Sequence, residues 1–187
     1  MPHRRMERKS LISEVWKQFD ENPITHSAAH HVMAIAELRE EHGYARVSDV
    51  AKALNITRGS VSLTLKALKQ RGLVEEDPNR FLLLSPIGEA LAAGIRGKQF
   101  LTQKFFVEIL GVPEEQARVD SCKIEHLVSH ETAKKLTSFL RYIESGDPQA
   151  DAFMQGWRAF KQPCDHDPNM CPACFHDCLT TLCEAPK

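Results

Sequence analysis

Apolar positions recur along this chain at helical spacing for most of its length, broken once by two short strand-like runs. From Thr25 to Glu41, Ala28, Val32, Ile35 and Leu38 fall on one face, and Gly43 follows where a left-handed cap would close the helix. Val47–Leu54 reads as a short helix opened by Ser48 and Asp49, Asn55-Ile56-Thr57 as a turn, and Arg58–Gln70 as a longer helix capped by Thr57 and closed by Gly72. A short helix, a tight turn and a longer helix form the helix-turn-helix pattern. Leu73–Glu76 and Phe81–Leu84, separated by Asp77-Pro78-Asn79-Arg80, predict a two-stranded wing.

Ser85-Pro86 opens a further long helix running towards Phe106, with proline in the first turn, where its missing N–H costs nothing, and with Gly94 and Gly97 as places for a bend. Gly111-Val112-Pro113 breaks the chain, and Glu114-Glu115 begin a helix expected to pass through Cys122, Glu125 and His126. Ser129 can cap a last helix to about Ile143; Ser145-Gly146-Asp147-Pro148 is a linker by composition, followed by Phe153–Phe160. Ahead of all this, Leu11, Ile12, Val15, Trp16 and Phe19 mark an amphipathic helix beside Arg4, Arg5, Arg8 and Lys9: either a basic arm or a helix packed on the body. The fold class is mainly α: an N-terminal extension (1–24), a winged helix-turn-helix domain (25–95), a helical metal-binding and dimerisation domain (96–145) and a Cys-rich segment (146–187).

Composition changes the picture in two places. The net charge of −1 carries no global sign of nucleic-acid affinity, yet Asn55–Arg71 holds Arg58, Lys66, Lys69 and Arg71 and no acidic residue. Short polar side chains at the start of such a helix approach base edges, and Lys or Arg bind phosphates. Thr57, Arg58, Ser60, Ser62 and Thr64 are candidates for the first role, Lys66 and the wing's Arg80 for the second, with Val61, Leu65 and Leu68 as the buried stripe. The alternative is a small bundle with a solvated basic helix.

The second place is cysteine usage. Of six cysteines, five lie between Cys164 and Cys183, in a chain whose basic start is not followed by a secretory apolar stretch. Such thiols suit metal binding or redox chemistry better than a disulfide framework. No apolar run approaches the roughly 18 residues of a membrane span, so a cytoplasmic protein without a membrane partner is expected. The pattern Cys164, Cys171, Cys174, Cys178, Cys183, with His166 and His176 interleaved, allows a [4Fe-4S] cluster, a Zn2+ site or unmetallated thiols. Cys122, Glu125 and His126, at i, i+3 and i+4, project from one helical face, and a single helix rarely closes a metal site. His26 and His30, also i, i+4, can supply the partner. No nucleophile–base pair or phosphate loop points to an enzyme.

Glu41–Ala51 (EHGYARVSDVA), Ser60-Val61-Ser62, Gly72-Leu73-Val74 and the Cys-x-x-Glu-His step at 122–126 together resemble the diphtheria toxin repressor and manganese transport regulator family. The resemblance covers roughly residues 25–143. It implies a homodimeric, metal-activated repressor binding palindromic operator DNA, loaded with Fe2+ or Mn2+. It also implies that His30, Cys122, Glu125 and His126 form the primary site, His30 standing where the family has Met or Asp. His26 is a fifth ligand, a support for one, or a surface residue. Gln99, Gln103 and Arg118 stand where the iron branch has its ancillary His, Glu and His, so that site is expected to be absent or remodelled. The family's SH3-like domain does not fit after residue 146, and the Cys-rich tail takes its place. Thiolate at Cys122 argues for iron over manganese and also suits Zn2+ or Co2+. Two rival readings are a repressor sensing an iron-sulfur cluster through the tail, and a metal-handling or redox protein using the winged helix for interaction.

Overall fold

The computed structural model describes residues 24–160; the N-terminal extension and the tail cysteines Cys164, Cys171, Cys174, Cys178 and Cys183 lie outside the described residues. Thr25 caps α1 (His26–His42) by accepting the Ala28 N–H at 3.2 Å, and Gly43, at φ 78°, ends it with its N–H on the Arg39 carbonyl. Expected to bury one stripe, α1 instead buries Ala28, Ala29, His31, Val32, Met33, Ala34 and Ile35 in succession. The reason is its position: α2 (Val47–Ala53), α3 (Arg58–Gln70), β2 (Leu82–Leu84) and α4 (Pro86–Lys104) all pack on it. A helix covered on several sides loses the one-sided pattern of a surface helix.

The α2–α3 turn places Asn55 at φ 53°, and Thr57 accepts the Ser60 N–H at 3.2 Å to start α3. Val61, Leu65 and Leu68 face the core, where they join Val32, Ile35, Val50, Val74 and Leu82. β1 (Val74–Glu76) pairs antiparallel with β2 in the register Val74↔Leu84, each strand one residue shorter than expected. At the wing tip the Asp77 carboxylate accepts the N–H groups of Asn79 (2.9 Å) and Phe81 (2.7 Å), and Arg80 sits at φ 64°.

Ser85 does two jobs: its hydroxyl donates to the Gly72 carbonyl (2.6 Å) and accepts the Gly88 N–H (3.1 Å), tying α4 to the end of α3. Gly88 is required here, because a Cβ would lie 2.1 Å from the Leu73 carbonyl oxygen. α4 runs unbroken through Gly94 and Gly97; its irregularity comes later, as a π-turn over Phe105–Ile109. Arg96 holds both carboxylate oxygens of Glu40 at 2.9 Å, clasping α1 to α4.

α5 (Glu114–Ile124) packs along α4, and α6 (His130–Ile143) starts where Ser129 accepts the Thr132 N–H at 3.1 Å, leaving His130 exposed. The described residues up to Arg141 form one compact unit, and those from Tyr142 a second. The second contains α7 (Pro148–Ala159), which starts at the last residue of the expected linker and takes in most of Phe153–Phe160, a segment given no element from sequence. The missed signal is Asp147 followed by proline: Asp147 caps α7 by accepting the Gln149 N–H at 2.7 Å, with Pro148 in the first turn. No helix of the described residues is long and apolar enough to cross a membrane.

Candidate metal centre and DNA-reading surface

Two helices that do not otherwise pack along each other meet at a cluster of imidazole and thiol groups. α1 brings His26 and His30, one turn apart, and the last turn of α5 brings Cys122. The ligand atoms of these three side chains all lie within 4.8 Å of one another. His30 Nε2 is 3.3 Å from Cys122 Sγ. The contact is a thiol–imidazole hydrogen bond, and because a thiolate and an imidazole held about 2.3 and 2.0 Å from one tetrahedral ion stand roughly 3.5 Å apart, the same spacing could also accommodate a shared first-row cation.

The other two expected ligands sit differently. α5 ends at Ile124, Glu125 caps it, and the Leu127 N–H turns back to the Ile124 carbonyl, so the step 122–126 is not carried by one regular helix. His126 packs its ring against His26, with centroids 4.9 Å apart, and thereby borders the cluster. Glu125 is outside the mutually close group. It is only 2 % exposed, and its carboxylate lines a cavity of about 130 Å3 together with His30, Met33, Glu37 and Gln99. Its Oε2 has no hydrogen-bond partner among the described residues.

Electrostatics favour neutral, cation-ready donors. Burial lowers the pKa of His30 and His126, with the neighbouring histidines adding to the effect. Burial and the charge of Glu125 raise the Cys122 thiol above its ordinary range, opposed by Arg118. Desolvation lifts Glu125 to about 7. Each shift disfavours an isolated charge, and a divalent ion would reverse both acidic ones. His31 belongs elsewhere: it is buried, and its Nδ1–H donates to the Ser27 carbonyl at 2.6 Å as a core histidine. Gln99 and Gln103 line separate hollows and Arg118 is exposed, so no second ligand group gathers among the described residues.

In the winged helix, Thr57, Arg58, Ser60, Ser62, Lys66 and Arg80 are all exposed, while Thr64 is half-buried beside the core stripe. The hydroxyls are partly spent locally: Ser62 donates to the Arg58 carbonyl at 2.9 Å, and Thr57 Oγ1 and Ser60 Oγ are 3.0 Å apart. Lys69 is paired with Glu76 on the wing. Arg46 lies outside the expected set; its guanidinium stacks 4.7 Å from the Phe81 ring and 5.8 Å from that of Tyr44, tying the start of α2 to the wing.

Residues 24–82 match the family model described as iron dependent repressor, N-terminal DNA binding domain, and residues 85–152 match that of the iron dependent repressor metal binding and dimerisation domain. The transcriptional regulator MntR of Salmonella typhimurium is 35% identical over 121 residues, spanning 65% of this chain and 74% of that protein. The chain belongs to the iron-dependent repressor family. This family member is also 26% identical over 119 residues to the iron-dependent repressor IdeR of Mycobacterium tuberculosis (strain ATCC 25618 / H37Rv), spanning 64% of its own length and 52% of IdeR. The solved structure of the manganese regulator SloR superposes with a TM-score of 0.57 at 25% identity, over 62% of this chain and 54% of SloR. It thus spans about half the length of these last two relatives. The family consists of metal-dependent DNA-binding transcriptional repressors, and both of its matched domains are present here.

Proposed function

We propose that this chain is a ferrous-iron-responsive repressor of metal-ion homeostasis, acting in the cytoplasm as a homodimer on a palindromic operator. One observation carries the reading: His30 of the DNA-reading unit stands 3.3 Å from Cys122 of α5, with His26 in the same group. His26, His30 and Cys122 hold the ion, His126 stands beside them, and Glu125 reaches it from the adjoining cavity by a side-chain rotation. When bound, the ion supplies a cross-link between α1 and α5. His30 and Cys122 then fix the winged helix relative to the helices of the dimerisation domain, so that two recognition helices meet successive major-groove faces of a two-fold site. Without that link the cost of ordering falls on DNA binding.

A thiolate and imidazoles favour Fe2+ over Mn2+, while Zn2+ and Co2+ compete for the same donors. The relatives named above include both a manganese and an iron regulator, so the donor set supports the choice of iron. Thr57, Arg58, Ser60, Ser62, Lys66 and Arg80 face the operator, with Thr64 at the edge of that surface. The tail cysteines supply a second site for a [4Fe-4S] cluster or Zn2+. Serine at Cys171 and Cys174 separates this reading from a tail-sensing repressor, since only a tail sensor loses its metal response.

The test is anaerobic fluorescence anisotropy on an operator selected from random duplex DNA. Fe2+ tightens binding at least tenfold in the parent protein. His30→Ala and Cys122→Ala abolish that gain while circular dichroism stays unchanged. Equal affinity with and without metal, in protein that binds the operator specifically, refutes the proposal.

A further inference from the structure

The solvent face of α3 is not polar at its centre. Opposite the buried stripe of Val61, Leu65 and Leu68 lie Gly59, Leu63, Lys66 and Gln70, all exposed and spaced by three or four residues. Leu63 is 75 % exposed, the highest value for any large hydrophobic side chain among the described residues. No described residue covers it, and the charged side chains around it, Arg58 and Lys66, suit a polyanion rather than an apolar protein partner.

Gly59, one turn before Leu63, is the second observation. It does not adopt a left-handed backbone, and a Cβ there would meet only Thr57 Oγ1 at an ordinary 3.8 Å. Gly59 is the second residue of α3, and no contact among the described residues requires its side chain to be missing. What the missing side chain does provide is close approach of an outside group to the helix backbone. Beside it, the Ser62 hydroxyl donates to the Arg58 carbonyl and the Thr57 and Ser60 hydroxyls are paired, so the exposed hydroxyls nearest this notch are partly spent within the helix.

We propose that Gly59 and Leu63 form a thymine-reading notch, in which the 5-methyl group of one thymine per half-site packs on Leu63 in the space left open over Gly59. The proposal rests on the DNA-binding reading above and adds what that surface selects. Among major-groove edges only thymine presents a methyl group, and apolar side chains recognise it by contact. Specificity at this point of the helix is therefore apolar, while Lys66 holds a phosphate and positions the helix.

The test replaces each thymine of the selected operator in turn by deoxyuridine, which removes only the methyl group. Binding of metal-loaded full-length protein is measured by anisotropy. One symmetry-related thymine per half-site is expected to lose about fourfold in affinity when replaced, and about fifteenfold when both are replaced, the size of one buried methyl each. Leu63→Ala should bind the thymine operator as weakly as the parent binds the deoxyuridine one and no longer distinguish the two. Gly59→Ala should lose the same discrimination; Leu63→Ala should keep the parent's melting temperature, Gly59→Ala should keep or slightly raise it, and both should keep the parent's slope of affinity against salt. An operator tolerating deoxyuridine everywhere overturns the notch and leaves the repressor reading intact. So does a Leu63→Ala protein that still discriminates. Failure to select any sequence overturns both.

Discussion

Glu125→Gln tests the electrostatics of the centre without metal. Burial raises the Glu125 carboxyl from 4.5 to about 7. The unfolded chain therefore loses this proton at lower pH than the folded one. Between those values the folded state binds more protons, so the stability of the metal-free protein falls as pH rises from about 4.5 through 7. At 1.36 kcal/mol per unit, the cost of holding the ionised carboxylate reaches about 3 kcal/mol at most. Glutamine removes that titration but keeps a buried polar group with a partner to find, at a cost of about 1 kcal/mol. The net gain at about pH 8 is then 1–2 kcal/mol, or roughly 3–6 °C in Tm. The assay is thermal denaturation of chelator-treated parent and variant at about pH 5 and pH 8. A variant more stable only at the higher pH supports the argument; the same difference at both pH values, or a loss at the higher one, refutes it.

Two further outcomes follow. Gly88→Ala places a Cβ 2.1 Å from the Leu73 carbonyl, a backbone atom that cannot swing aside, and should cost about 3 kcal/mol, read as a Tm drop of roughly 6–12 °C. Because burial raises the Cys122 thiol, its proton must leave when sulfur binds an ion, so metal affinity rises with pH between about 6 and 8, by up to about tenfold per unit; Cys122→Ser flattens that dependence and removes the sulfur-to-metal absorption band of the Co2+-loaded protein, and an unchanged band contradicts the assignment.

Where local chemistry decides structure, the fold was legible. Thr57 and Ser129 were readable as caps because each hydroxyl accepts an N–H of the turn that follows, and Gly43 and Gly72 were readable as ends because each adopts positive φ; Thr25 and Ser85 marked helix starts whose capping bonds the structure adds. Tertiary context decided the rest. The extra buried positions of α1 depend on which elements surround it, and a one-helix pattern carries no record of that. The pairing of His30 with Cys122, 92 positions apart, came from resemblance, since spacing within α1 or α5 says nothing about their approach. Glu125 keeps helical backbone at the end of α5, but helical spacing does not fix where a buried carboxylate settles: it lines the cavity beside His30, outside the close group of His26, His30 and Cys122. Leu63 was not singled out in the sequence; its exposure among the described residues brought it to notice.

The central claim is that a cation shared by α1 and α5 governs the grip on DNA. It is tested most directly by measuring Fe2+ affinity of the full chain with and without saturating operator. Thermodynamic linkage requires operator to tighten metal binding by the same factor by which metal tightens operator binding, in the usual range of about 5–150-fold. An equal pair of factors is the predicted result. Metal affinity that is identical in the presence and absence of operator contradicts the account.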